Sequence, residues 1–149
     1  MKRIVIFSVL LCFSVITKGH YIYPEIYKNC YVDQFDFEKD KIIVPQEAER
    51  IIEVVTMGWD EKVLKKAKGF LGLQMLIDKK GKSCLMSVRN DTNMKPKKMN
   101  LEGNINDHLE WQRLANKISV IILLEFDGEN ISVKRLGTLD MVNLVEIDN

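Results

Sequence analysis

A small α+β domain is the predicted fold over residues 20–149: an antiparallel sheet with helices on one face, of ββαβ type with an added N-terminal helix. Three observations predict it. An amphipathic helical pattern follows Pro45, two alternating runs flank a glycine turn at Gly81, and a strongly apolar run from Ile118 to Phe126 precedes a second turn at Asp127-Gly128. A chain of 149 residues suits one domain, and no repeat, linker or low-complexity stretch divides it. The composition, 46% hydrophobic and 29% charged, excludes a disordered or collagen-like chain. A net charge of +1 gives no global field toward nucleic acid or an acidic membrane.

Residues 1–19 differ from the rest. Lys2 and Arg3 are followed by an apolar run from Ile4 to Ile16, and Thr17 and Gly19 suit a cut before His20. This is the pattern of a secretory signal peptide. The alternative is an uncleaved membrane anchor. Its apolar run spans only about 20 Å as a helix, against a hydrocarbon core of about 30 Å. Cleavage removes Lys2, Arg3 and Lys18 and no acid, leaving 19 basic against 21 acidic side chains. The expected location is periplasmic or secreted. Two cysteines remain, Cys30 and Cys84. They admit either two separate buried thiols or one disulfide, whose loop of about 54 residues is worth ~4 kcal/mol on the chain-entropy account.

Along the exported part, Tyr21, Tyr23, Tyr27 and Tyr31 crowd the start and read as packing or edge groups. Gln34 to Val44 contains an extended segment ending in Ile42, Ile43 and Val44. Pro45 then opens a helix with Ala48, Ile51, Ile52 and Val55 on its apolar face, and Gly58 closes it. Asp60 caps a short helical turn whose Lys62, Lys65, Lys66 and Lys68 read as a solvated face rather than a phosphate patch. Phe70 to Ile77 is a strand with Leu71, Leu73, Met75 and Ile77 on one face. Ser83 to Val88 returns after the turn at Asp78–Gly81. Asn90 to Asn100 reads as a loop, and Leu101, Ile105 and Leu109 mark a short helix capped by Asn100. Ile118–Phe126 and Ile131–Leu136 are the last two expected strands, and 138–149 alternates too poorly to assign. The expected core is Ile51, Ile52, Val55, Leu73, Met75, Ile77, Leu85, Ile105, Leu109, Trp111, Val120, Ile122 and Leu124.

The stretch EAERIIEVVTMGWDEKVLKKAKGFLGLQMLIDKKGK at 47–82 resembles the first half of the C-terminal domain of TonB energy transducers. Ile77, Asp78 and Gly81 match that family's strand and glycine turn, and Trp59-Asp60 stands where Tyr-Pro is usual. LEGNINDHLEWQRLANKISVIILLEF at 101–126 is similar to the second half, with Trp111 in place and Gln112-Arg113 departing from the usual Pro region. The resemblance covers about half of the chain. It implies a TonB C-terminal-like fold and a Gram-negative envelope setting. It does not imply energy transduction, since His20 to Val44 is too short and varied for the family's Pro-rich rod.

Few residues suggest chemistry. His20, as a new N-terminus, pairs an α-amino group with an imidazole and could chelate a metal such as copper. His108 stands beside Asp107 and Glu110 and reads as a surface group. Asp33, Asp36, Glu38 and Asp40 lack the glycine and terminal Glu of a calcium loop and read as a solvated acidic edge. Asn90-Asp91-Thr92 and Asn130-Ile131-Ser132 have the glycosylation-acceptor spacing, which matters only in a eukaryotic host. No HExxH, CxxC or Gly-rich phosphate loop is present. The expectation is therefore a non-enzymatic module without a cofactor, with an envelope protein or peptide as partner, no nucleic acid and no stable membrane insertion after cleavage. Ile131, Val133, Lys134 and Arg135 are the candidate peptide-binding edge, by strand addition. Lys134 and Arg135 also suit guarding such an edge against aggregation. Two alternatives remain: a small exported hydrolase or metal-dependent enzyme, which needs His108, Asp107 and a carboxylate from 33–40 in one cleft, and a structural or inhibitory envelope protein with a covered edge.

Overall fold

The computed structural model describes residues 20–148, so the expected signal peptide at 1–19 lies outside the described residues. In chain order the elements are β1 (Glu25–Ile26), β2 (Asp36–Phe37), α1 (Ala48–Val55), α2 (Glu61–Leu64), β3 (Lys68–Ile77) and β4 (Ser83–Thr92). A 3-10 turn (Pro96–Lys98), α3 (Leu101–His108), β5 (Ile118–Asp127), β6 (Ile131–Gly137) and β7 (Val145–Glu146) follow. The class is mixed α+β, built on a mostly antiparallel seven-stranded sheet of order β1-β4-β3-β5-β6-β7, with β2 joined in parallel to the start of β5.

The period-two pattern of the long strands decides which side chains meet. Leu71, Leu73, Met75 and Ile77 of β3 share a face with Leu124, Ile122, Val120 and Ile118 of β5, their register partners. All eight belong to the main core. Helices α1 and α3 pack on that face through Ile51, Val54, Val55, Leu101 and Ile105. Asp78 closes the β3–β4 turn by accepting from the N–H groups of Lys80 and Lys82, and Gly81 supplies the positive φ the turn requires.

Several boundaries differ from expectation, each for a local reason. Helix α1 starts at Ala48, not at Pro45: Glu47 is the extended residue before it, and the N–H groups of Ile43 and Val44 are held by Glu38. The helix turns Val54 into the core in place of Ile52, which is only partly buried. Strand β4 runs on to Thr92, because β3 begins at Lys68 and pairs Gly69 with Thr92. The expected extended segment at 34–44 is strand only at Asp36–Phe37. Asn100 sits before α3 with φ +47, but its side chain makes no capping bond and instead donates to Asn104.

The opposite face of the sheet is covered by the chain's own start. The Gln74 amide donates to the His20 carbonyl at 2.8 Å and accepts from the Ile22 N–H at 2.8 Å, so one side chain stands in for a strand's peptide unit. Ser87 Oγ accepts the Tyr23 N–H and donates to Gln74. The Tyr23 ring rests on Gly72, where any Cβ would collide with it. Strand β1 then adds to the outer edge of β4, and the Tyr27 N–H donates to Met86. Cys30 and Cys84 are joined by a disulfide that pins this segment down.

Replacing both cysteines by serine removes a constraint on a long loop and lowers stability by about 2–5 kcal/mol; a urea unfolding midpoint equal to that of the oxidised protein contradicts this. Burial pushes the Tyr23 phenol up to about 12. The unfolded phenol ionises first, near pH 10, so this contribution is intact below about pH 10 and is lost as pH rises toward 12. Stability of Tyr23→Phe is expected to fall less steeply over that alkaline range, as read by unfolding at stepped pH.

Candidate functional site

Strand β6 carries the residues that the sequence singles out. Its inner side pairs with β5 from Ile121↔Leu136 to Phe126↔Ile131. On its outer side β7 covers only Leu136 and Gly137, and the Ile147 N–H donates to the Arg135 carbonyl at 3.0 Å. In an antiparallel ladder the backbone groups of every second residue face the same way. Those of Val133 and Ile131 therefore share the outward direction of Arg135, and among the described residues no strand pairs with them. The open edge is Ile131–Lys134.

Side chains divide by face. Ile131 and Val133 pack partly against the main core, while Lys134 lies on the opposite face and pairs with Glu146 at 3.1 Å. Beside the edge runs a shallow groove of about 520 Å³ lined by Leu64, Ala67, Phe126, Gly128 and Ile131. It lies on the core face, where an added strand would place alternate side chains. The turn that bounds it is fixed by Asp127, which accepts from the N–H groups of Glu129 and Asn130; those bonds hold its carboxyl below the usual range.

Arg135 is not part of the accessible edge. It is buried and forms a two-point bond with Glu38, Nε to Oε2 at 2.6 Å and Nη2 to Oε1 at 2.9 Å. Nη2 also donates to the Val44 carbonyl at 2.6 Å, and the guanidinium lies 5.1 Å from the Trp111 ring. Burial draws the Arg135 guanidinium down from its ordinary value and the Glu38 charge pulls it back. Its charge serves the interior, so the expectation that it binds peptide or guards the edge is corrected. Trp111 is itself fixed by donating to Ser83 Oγ at 2.7 Å.

The other singled-out residues are dispersed. The acids of 33–40 do not form one solvated edge: Asp33 pairs with Lys117, Glu38 is buried against Arg135, and Asp40 is exposed. His108 and Asp107 are exposed on α3, and Arg50 donates to the His108 carbonyl. His20 lies on the opposite face, where its ring is 5.4 Å from Phe35. Among the described residues no group of three His, Cys, Asp or Glu side chains is placed to hold a metal ion. The sequence reading missed Glu38 as an interior anchor and missed Leu64 and Ala67 as groove lining. No local pattern marks either, because each gains its role from a strand distant in the chain.

Compared with protein families, with curated proteins and with solved structures, the chain finds no significant match. The class it shows is that of an α+β domain in which the outer side of β6 is partly open.

The two neighbouring cations of β6 should separate sharply on mutation. Arg135→Met leaves Glu38 buried and unpaired and should cost about 3–5 kcal/mol. Lys134→Met removes an exposed pair worth ~1 kcal/mol or less. Urea midpoints that fall equally for the two variants contradict this assignment.

Proposed function

We propose that the chain is an exported envelope protein whose role is to bind an extended segment of a partner protein along the outer edge of β6. The observation that carries this reading is the open backbone of Ile131–Lys134 lying beside an apolar groove. Main-chain hydrogen bonds to the edge supply affinity, and an apolar side chain of the guest enters between Leu64, Phe126 and Ile131 to supply selectivity. The basic, apolar leader at 1–19 and the Cys30–Cys84 disulfide support a location outside the cytoplasm. The resemblance of 47–82 and 101–126 to TonB C-terminal domains supports a Gram-negative envelope, with the binding mode kept and energy transduction absent. The reading assigns no catalytic step to the chain.

A competing structural role is favoured by one observation: β7 and the Lys134–Glu146 pair already cover or guard half of β6. A photo-crosslinking residue at position 132, in the native host, distinguishes the two. A discrete partner adduct is expected, and it should be lost in Val133→Pro, which removes an outward N–H that the fold does not use. Ile131→Asp, which spoils the groove but leaves the backbone intact, should weaken it too. An absence of adducts, or adducts unchanged in both variants, overturns the proposal.

A further inference from the structure

A second feature has no part in the edge. The lysines after Asp60 are joined in space by a second lysine cluster that sequence reading leaves in a loop. Residues 58–68 and 93–100 together hold seven lysines and two acids, Asp60 and Glu61, in a chain that carries more acid than base from residue 20 onward. Asp60 is already occupied as a cap, accepting from the Lys62 N–H at 2.7 Å. Like charges gathered at one end repel, weakly because they are solvated, and a bound anion would relieve that repulsion.

The lysines surround an apolar floor. A cleft of about 540 Å³ is lined by Trp59, Val63, Met94 and Met99 together with Lys62, Lys95, Lys98 and, at one end, the capping Asp60. A second cleft of about 250 Å³ shares Val63, Met94, Lys95 and Lys98 and adds Lys66. The two therefore form one trough. Its floor is firm: the Trp59 indole donates to the Met99 carbonyl at 2.9 Å and the ring lies 5.9 Å from Phe126. The Asn93 amide donates to the Lys66 carbonyl at 2.9 Å, binding the two walls together. Lys62, Lys66, Lys95 and Lys98 are exposed, and among the described residues none has a salt-bridge partner. The volume is that of a site for one small molecule.

We infer that this trough binds a single anionic amphiphile, a long-chain carboxylate, with its head among Lys62, Lys66, Lys95 and Lys98 and its chain over Trp59, Val63, Met94 and Met99. Three or four lysines against the single carboxylate of Asp60 select the anion, and the apolar side chains of the floor select a tail that an inorganic ion lacks. Methionine suits the floor because its unbranched thioether adapts to a flexible chain. The lysine stems lie along the tail while their ammonium groups stay in water beside the head.

The test uses the oxidised protein and dodecanoate below its micelle concentration. Trp59 is the reporter, read as the fluorescence change absent from Trp59→Phe. Saturable 1:1 binding is expected, weakened by added salt. Dodecanol and inorganic phosphate should each fail to compete. The double variant Lys95→Ala with Lys98→Ala removes two charged donors at an exposed turn and should lower affinity by about tenfold or more; Lys79→Ala with Lys80→Ala, at the β3–β4 turn, should not. Unsaturable binding, equal binding by dodecanol, or unchanged affinity in Lys95→Ala with Lys98→Ala overturns the inference. So does binding only to vesicles containing an anionic phospholipid, which would make the trough a membrane-surface patch.

Discussion

The buried pair between Glu38 and Arg135 is the interaction on which the arrangement of this domain turns. Glu38 accepts from the Ile43 and Val44 N–H groups as well as from the guanidinium, and its own carbonyl accepts the Thr138 N–H. One carboxylate thus ties together the segment after β2, the approach to α1, and the far end of β6. Two charges removed from water are costly unless all their polar atoms find partners. Here the guanidinium meets two carboxylate oxygens, a carbonyl and an aromatic face. The consequence is directional: β6 is tied to its neighbours at its Arg135 end and left open at its Ile131 end.

The same logic explains what the sequence could and could not reveal. The long strands and the helix after Pro45 were legible because their apolar residues recur with period two or with helical spacing, and that periodicity is local. Twelve of the thirteen residues expected in the core are buried there; Ile52 is only partly buried against it, and α1 buries Val54 instead. Glu38 was illegible because a buried carboxylate looks like any other acid until its partner, nearly a hundred residues on, is in place. The candidate edge was only half legible. Alternation located β6, but it could not show that Arg135 turns inward while Lys134 turns out, since that depends on which face the helices cover. The lysine trough was illegible for a related reason, as its two walls lie some thirty residues apart in the chain.

Charge is distributed in a way that the nearly neutral total conceals. Lysines of α2 and of the turn at Pro96–Lys98 gather at one end, and acids are in excess over the remainder. A molecule polarised in this way orients in the field of an approaching ligand before contact. The open edge of β6 and the trough are distinct surfaces, although α2 borders both through Leu64 on one side and Lys62 and Val63 on the other. Whatever occupies one is therefore separated from the other by a single helical turn.

The strap at the start of the described chain bears on how copies of the protein can assemble. Strand β1 occupies the margin of β4 beside Ser87 and Val88, and the Arg89–Asp91 ion pair stands just beyond it. Addition of a foreign strand directly at Ser87 and Val88 is thereby blocked. The disulfide at Cys30 and Cys84 therefore does more than stabilise: by holding the strap down it keeps that stretch of the β4 margin occupied against strands from other copies.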